Sequence, residues 1–189
     1  ARVLVADVGE HSPHRQSVSL YIFAAPAPSN QTDGRSFQHL VVRYRAGAQN
    51  CEAVAVDVKN RRILLLGKSA LAGNMYQVSL PDRFASSGGN DVTQIEATAV
   101  PIRKTPIPMA TGMDLCPKSG DLWISSYFHA FCYPDNKGKT LQARLQSAPN
   151  VVALPSLKQV EAIAIDDKNR VWVTSEGKPA RMQRVLIEK

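Results

Sequence analysis

One seven-residue phrase occurs three times in the chain, and it limits the fold more than any other feature. Cys51 to Asp57 reads Cys-Glu-Ala-Val-Ala-Val-Asp, and Val160 to Asp166 reads Val-Glu-Ala-Ile-Ala-Ile-Asp. Between them, Thr111 to Pro117 reads Thr-Gly-Met-Asp-Leu-Cys-Pro, a degenerate copy. Successive copies begin 60 and 49 residues apart. Internal repetition of this kind marks an architecture built from one supersecondary unit, which buries its apolar face against its neighbours. Within the last copy Ile163 and Ile165 sit two apart, so residues 158–167 read as strand rather than helix.

Each copy leads into a turn and then an apolar strand. Lys59-Asn60 precedes 62–66, Lys118-Ser119-Gly120 precedes 121–125, and Lys168-Asn169 precedes 170–174. Asn and Gly suit such turns because they tolerate positive φ. Third strands are expected at 75–80, 129–133 and 180–187, and more polar fourth strands at 91–100 and 140–146. The N-terminus fits the same scheme without a first strand: 2–7 matches a second strand, 18–23 a third and 37–45 a fourth. Short strands separated by Pro, Gly, Asn and Ser predict an all-β chain, and radially repeated four-stranded sheets predict a β-propeller. The expectation is a partial propeller of about four blades. It has an incomplete blade at 1–50, blades at 51–110 and 111–158, and an incomplete blade at 159–189.

Taken together, these phrases resemble a family of mostly secreted bacterial β-propeller proteins. Their blades carry inner strands of the type Glu-Ala-Ile-Ala-Val-Asp and one blade of the type Thr-Gly-x-Asp-x-Ser-Pro. Ala6-Asp7-Val8-Gly9-Glu10-His11 looks like the family's Ala-Asp-Ile-Gly-Asp-Asn phrase, with Arg15 and Val18 in place. Glu10, His11 and Cys116 depart from the pattern. A more distant likeness is to the six-bladed propellers that include calcium-dependent lactonases. The resemblance implies a secreted or periplasmic location, further repeats before the Ala-Asp-Ile-Gly phrase, and at least one blade and a half absent from this chain.

Composition narrows the function classes. The 189 residues are 44% hydrophobic and 21% charged, which excludes a disordered tail and a coiled coil. No apolar stretch approaches the roughly 20 residues of a membrane span. The net charge of +7 is dispersed, with Arg61-Arg62 and Arg103-Lys104 its tightest pairs, so no nucleic-acid partner is expected. Cys51, Cys116 and Cys132 lack metal-site spacing, and Cys116 could meet Cys132 only if their strands pack suitably. Asn30-Gln31-Thr32 is a single glycosylation sequon, and residue 1 is Ala rather than Met, as in a processed or cloned segment.

The candidate chemistry is acidic. Glu52 and Glu161 occupy equivalent positions at the start of innermost strands, and Asp114 falls two residues beyond the equivalent Gly112. Carboxylates converging from several blades suit a hard cation, so Glu52, Asp114 and Glu161 are the candidate calcium ligands. The competing reading gives each acid the backbone amides of an adjacent blade. Asp7, Glu10, His11 and His14 form a second cluster, read as a transition-metal site or as solvated loop. There is no nucleophile elbow around Ser69 or Ser175, and Ser86 to Asn90 is a flexible loop rather than a phosphate cradle. His129 reads as a strand residue. Tyr127, Phe128, Phe131 and Tyr133 read as packing between blades or as a stacking surface. The function expected is a binding or scaffolding module of an exported bacterial protein, and the alternative is a calcium-dependent hydrolase of the lactonase or phosphoesterase type. The partners expected are the rest of the parent chain or a second copy against the open blade edges, together with a small-molecule or protein ligand.

Overall fold

The computed structural model describes residues 1–9, 15–25, 36–47, 49–82, 92–135 and 138–187. The sequon, the Glu10, His11 and His14 cluster and the loop from Ser86 to Asn90 lie outside them. The chain divides into two compact units, and no helix is long and apolar enough to cross a membrane.

The first unit comprises Ala1–Asn50 and Val78–Val100. Here β1 (Arg2–Asp7), β2 (Val18–Ala24) and β3 (Phe37–Tyr44) form an antiparallel meander, with Val3 opposite Phe23 and Leu20 opposite Leu40. The period-2 pattern turns Val18, Leu20, Ile22, Leu40, Val42 and Tyr44 into the buried face. The second neighbour of β3 departs from the expected blade scheme. The first part of β7 (Val92–Thr105) runs parallel to β3, from Phe37 beside Val92 to Tyr44 beside Ala99. The reason is length. β7 has 14 residues and its other neighbour, β6 (Gly73–Ser79), has 7, so half of β7 needs another partner for its backbone N–H and C=O groups.

The second unit comprises Cys51–Gln77 and Pro101–Lys189. Its strands fall into short sheets that begin with the three copies of the repeat. The end of β7 lies beside β6, followed by β5 (Arg62–Gly67) and β4 (Cys51–Asp57). The second sheet has the order β11 (Asn150–Ala153), β10 (His129–Tyr133), β9 (Leu122–Ser125), β8 (Gly112–Leu115). The third has the order β12 (Val160–Ile165), β13 (Val171–Ser175), β14 (Met182–Arg184). Each repeat phrase therefore gives the edge strand of its sheet, and β8 packs beside both β4 and β12. Apolar side chains fill the spaces between sheets. Leu64, Leu66 and Met75 pack with Ile124, Phe131 and Tyr133, while Trp123 and Cys132 pack with Val160, Ile163 and Val173.

Three expectations change in this unit. Residues 140–146 are not a fourth strand: Leu141–Arg144 is a helical turn, α1, and β11 is the fourth strand. The Thr140 hydroxyl accepts a hydrogen bond from Ala143 N at 3.2 Å and caps α1, whose residues are all good helix formers. The strand expected over 180–187 is confined to Met182–Arg184. Of the hairpin turns, two place Gly120 (φ 77°) and Asn169 (φ 59°) in the left-handed region, but the first uses Arg61 (φ 51°) rather than Asn60. Asn60 is occupied otherwise: its backbone N and side-chain amide both donate to the Asp57 carboxylate.

Candidate functional site

The three hairpins share one architecture, which explains where the acids go. In β4 the register slips by one residue between Cys51 and Ala53, and in β12 it slips between Val160 and Ala162. Glu52 and Glu161 are the extra residues of these two bulges. A bulge residue stands outside the ladder and its side chain is re-aimed. In the middle copy the ladder of β8 opens with Gly112 opposite Ser125, and the preceding Thr111 N also donates to the Ser125 carbonyl at 2.8 Å. Counted by strand pairing, Gly112 therefore matches Ala53 and Ala162, not the glutamates, and Thr111 stands where the other copies have Glu52 and Glu161. A Cβ on Gly112 would lie 2.9 Å from Ser125 Oγ and 3.0 Å from Ile163 N, so the close approach of β8 to β12 requires glycine.

The same alignment resolves the far end of the hairpins. Asp57 and Asp166 close their turns, and Cys116 holds the same place in the middle copy. Asp57 pairs with Arg62 at 2.8 Å and Asp166 pairs with Arg170 at 2.6 Å. Cys116 Sγ instead accepts from Ser119 N at 3.4 Å and donates to Asn169 at 3.2 Å. All three cysteines are buried and outside any disulfide, and burial pushes the Cys132 thiol up to about 12.

At the opposite end, the residues after the second strands meet the bulge glutamates. Lys68 follows β5, Tyr127 follows β9 by one residue, and Glu176 follows β13. The Lys68 ammonium lies 3.7 Å from Glu52 and 5.1 Å from the centre of the Tyr127 ring. Burial pulls its pKa down, but a hydrogen bond with Tyr127 and the charges of Glu52 and Glu161 outweigh that and raise it. Glu161 is raised. Burial is the first cause, Lys68 opposes it, and the Glu176 and Glu52 charges add to it. Tyr127 packs edge-on against Phe128, which is 69% exposed, whereas Phe131 and Tyr133 are core residues.

Of the three candidate ligands, the structure thus gathers Glu52 and Glu161 around Lys68 and sets Asp114 to another use. One Asp114 oxygen accepts from Leu115 N at 2.8 Å and the other from Ile165 N at 2.8 Å, tying β8 to β12. Among the described residues, no group of three or more His, Cys, Asp or Glu could hold a metal ion. The donors do not fit calcium, which needs several free oxygens, because an ammonium already stands beside the glutamates. Asp7, from the other cluster, is held by the Arg15 guanidinium at 2.8 Å. His129 lies on β10, as expected.

The carboxyls separate by environment. Asp114 is raised because burial outweighs its two amide bonds. Burial also acts to raise Asp166, but hydrogen bonds from Arg170, Trp172 and Lys168 overcome it and hold the carboxyl well below the usual range. A carbon-detected NMR titration should find Glu161 and Asp114 titrating above ordinary carboxylates and Asp166 still ionised below them. The signs for stability are opposite. What Asp166 contributes is present above the ordinary carboxylate pKa and is lost as pH falls through its own lowered value. For Glu161 and Asp114, the folded state loses stability as pH rises from the ordinary value through the raised one. Titration of all three within the ordinary range would remove this description of the site.

No family model and no curated protein sequence matches the chain. Solved structures do match. A protein from Lactobacillus plantarum aligns with 100% of this chain and 53% of its own, at 10% identity and a TM-score of 0.50. The PQQ-bound aldose sugar dehydrogenase of Streptomyces coelicolor aligns with 88% of this chain and 51% of its own, at 14% identity and a TM-score of 0.47. A humanized mutant of the Chaetomium thermophilum Polycomb Repressive Complex 2 aligns with 92% of this chain and 43% of its own, at 8% identity and a TM-score of 0.43. Likeness at these identities concerns the fold alone. The small sheets and the Lactobacillus plantarum match make the chain an all-β, partial β-propeller. It spans about half the length of the solved structures it matches.

Proposed function

We propose that the chain is the ligand-binding part of an exported bacterial β-propeller protein, and that its ligand brings a positive charge to the Glu52, Lys68 and Glu161 end. One observation carries this reading: the carboxylate of Glu52 lies 3.7 Å from the Lys68 ammonium, and the charges of Glu52, Glu176 and Lys68 all reach Glu161. Burial is the first cause that raises Glu161, the two neighbouring carboxylates add to it, and a cationic ligand would relieve both. Tyr127 and the exposed Phe128 add aromatic faces, which attract ammonium groups. Support for export comes from the likeness of the blade phrases to those of secreted propellers.

Isothermal titration of the full protein with spermidine, tetramethylammonium and calcium tests this reading. The organic cations should bind, and a Glu52→Gln/Glu161→Gln double variant should weaken them by about tenfold or more, a factor that corresponds to about 1.4 kcal/mol of lost charge attraction. Lys68→Met should tighten them, because it removes the competing ammonium. Binding that ignores both variants would refute the site. Calcium binding that is lost in the double variant would instead favour the hydrolase-type metal reading.

A further inference from the structure

The hairpin-turn end of the second unit carries an open cavity of about 820 Å³, within the range of small-molecule sites. It stands apart from the Lys68 cluster, because the turns lie at the far ends of β4 and β8 from Glu52 and Gly112. Among the described residues, five basic side chains line it: Lys59, Arg62, Lys118, Lys139 and Arg144. Of the same residues, two acids, Asp57 and Asp135, share the lining, and both are already paired, Asp57 with Arg62 at 2.8 Å and Asp135 with Arg144 at 3.3 Å. That leaves three lysines without a carboxylate partner among the described residues. Lys118 donates to the Asp167 carbonyl, a neutral group that leaves its charge uncompensated. Lys59 and Lys118 hold the same place in successive repeat turns, two residues after Asp57 and Cys116. Arg144 is 7% exposed, and its Nε is buried with no hydrogen-bond partner among the described residues, an N–H donor left over in the wall of a basic cavity.

We propose that this cavity binds a small polyanion, a ligand carrying two or more negative charges on phosphate or carboxylate oxygens. Such a ligand would supply what the lining lacks, negative charge for three ammonium groups at once. Lys59 and Lys118 from the β4–β5 and β8–β9 turns meet it on one side, and Lys139 beside α1 meets it on the other. Because these lysines are exposed, the attraction is screened by salt.

Isothermal titration of the full protein with pyrophosphate and with citrate tests the site, and the tighter of the two assigns phosphate or carboxylate. Arg144 also supports the fold, so the decisive variant is the surface triple Lys59→Ala/Lys118→Ala/Lys139→Ala. A control triple, Lys104→Ala/Lys158→Ala/Lys168→Ala, removes the same charge from exposed positions outside the cavity. The first triple should weaken binding by about tenfold or more, and the control by less than about twofold, where tenfold corresponds to about 1.4 kcal/mol. Equal losses in both triples would reduce the effect to net charge and overturn the proposal. So would the absence of any binding at about 1 mM of either anion in low salt, a concentration that corresponds to only about −4 kcal/mol.

Discussion

Gly73→Ala is expected to cost the fold about 3 kcal/mol or more, at or beyond the upper end for overpacked core sites. The added Cβ would stand 2.1 Å from the Gly67 carbonyl oxygen and 2.9 Å from Leu66 Cδ1. Gly67 ends β5 and Gly73 opens β6, so the obstacle is strand backbone that cannot rotate away. The same narrow closure presents Lys68, the residue after Gly67. Thermal unfolding should show Tm lowered by roughly 6–12 °C, at about 2–4 °C per kcal/mol for a chain of this size. Gly47→Ala is the control. Its φ is 85° but nothing lies within 4 Å of the new methyl, so it should cost only the conformational penalty of about 1–2 kcal/mol. Equal losses at the two positions would mean that the close approach of β5 and β6 is not what Gly73 protects.

Arg144→Ala should be similarly damaging. The guanidinium donates to the Tyr133 carbonyl at 2.5 Å, the Gly120 carbonyl at 2.9 Å and the Asp135 carboxylate at 3.3 Å. It thereby joins α1 to the β8–β9 turn and the end of β10 from a buried position. Truncation leaves two carbonyls and a carboxylate without their donor, and unsatisfied groups of this kind cost about 1–3 kcal/mol each. The expected loss in urea unfolding is about 3–5 kcal/mol, as for breaking a buried ion pair. Arg144→Lys should recover less than half of it, because one ammonium cannot span three acceptors spread along a fork. A loss below about 1 kcal/mol for Arg144→Ala would show that Asp135 and the two carbonyls find other partners.

The strands were readable because each half-buried segment alternates and because the phrase returns. β4 and β12 begin and end almost where their Glu-Ala-(Val/Ile)-Ala pattern does. α1 was not readable as strand or helix from apolarity alone. Leu141, Arg144 and Leu145 share a helical face, but the turn is four residues long and the useful signal is the Thr140 cap. The parallel partner of β3 left no local trace, since it depends on the surplus length of β7. At the site, Glu52 and Glu161 stood out through repetition. Lys68 and Glu176 did not, and Tyr127 stood out only as an aromatic, because equivalent places after the second strands carry three unlike residues. Asp114 looked like their companion only because the middle copy was aligned one residue out of step. Its carboxylate is instead a tie between β8 and β12.

The bulges that carry Glu52 and Glu161 have a consequence for how such repeats diverge. A residue standing outside the ladder is freed from the alternation that packs its neighbours on one face or the other. The strand pairs are the same in all three hairpins, with Ala53 opposite Leu66, Gly112 opposite Ser125 and Ala162 opposite Thr174, while the residues just before them are Glu52, Thr111 and Glu161. A single substitution there changes the local charge by one unit and leaves the hydrogen-bond ladder in place. Ligand preference in a lineage of these blades can therefore drift by whole charges at this one place, while the strand positions beside it are held by packing.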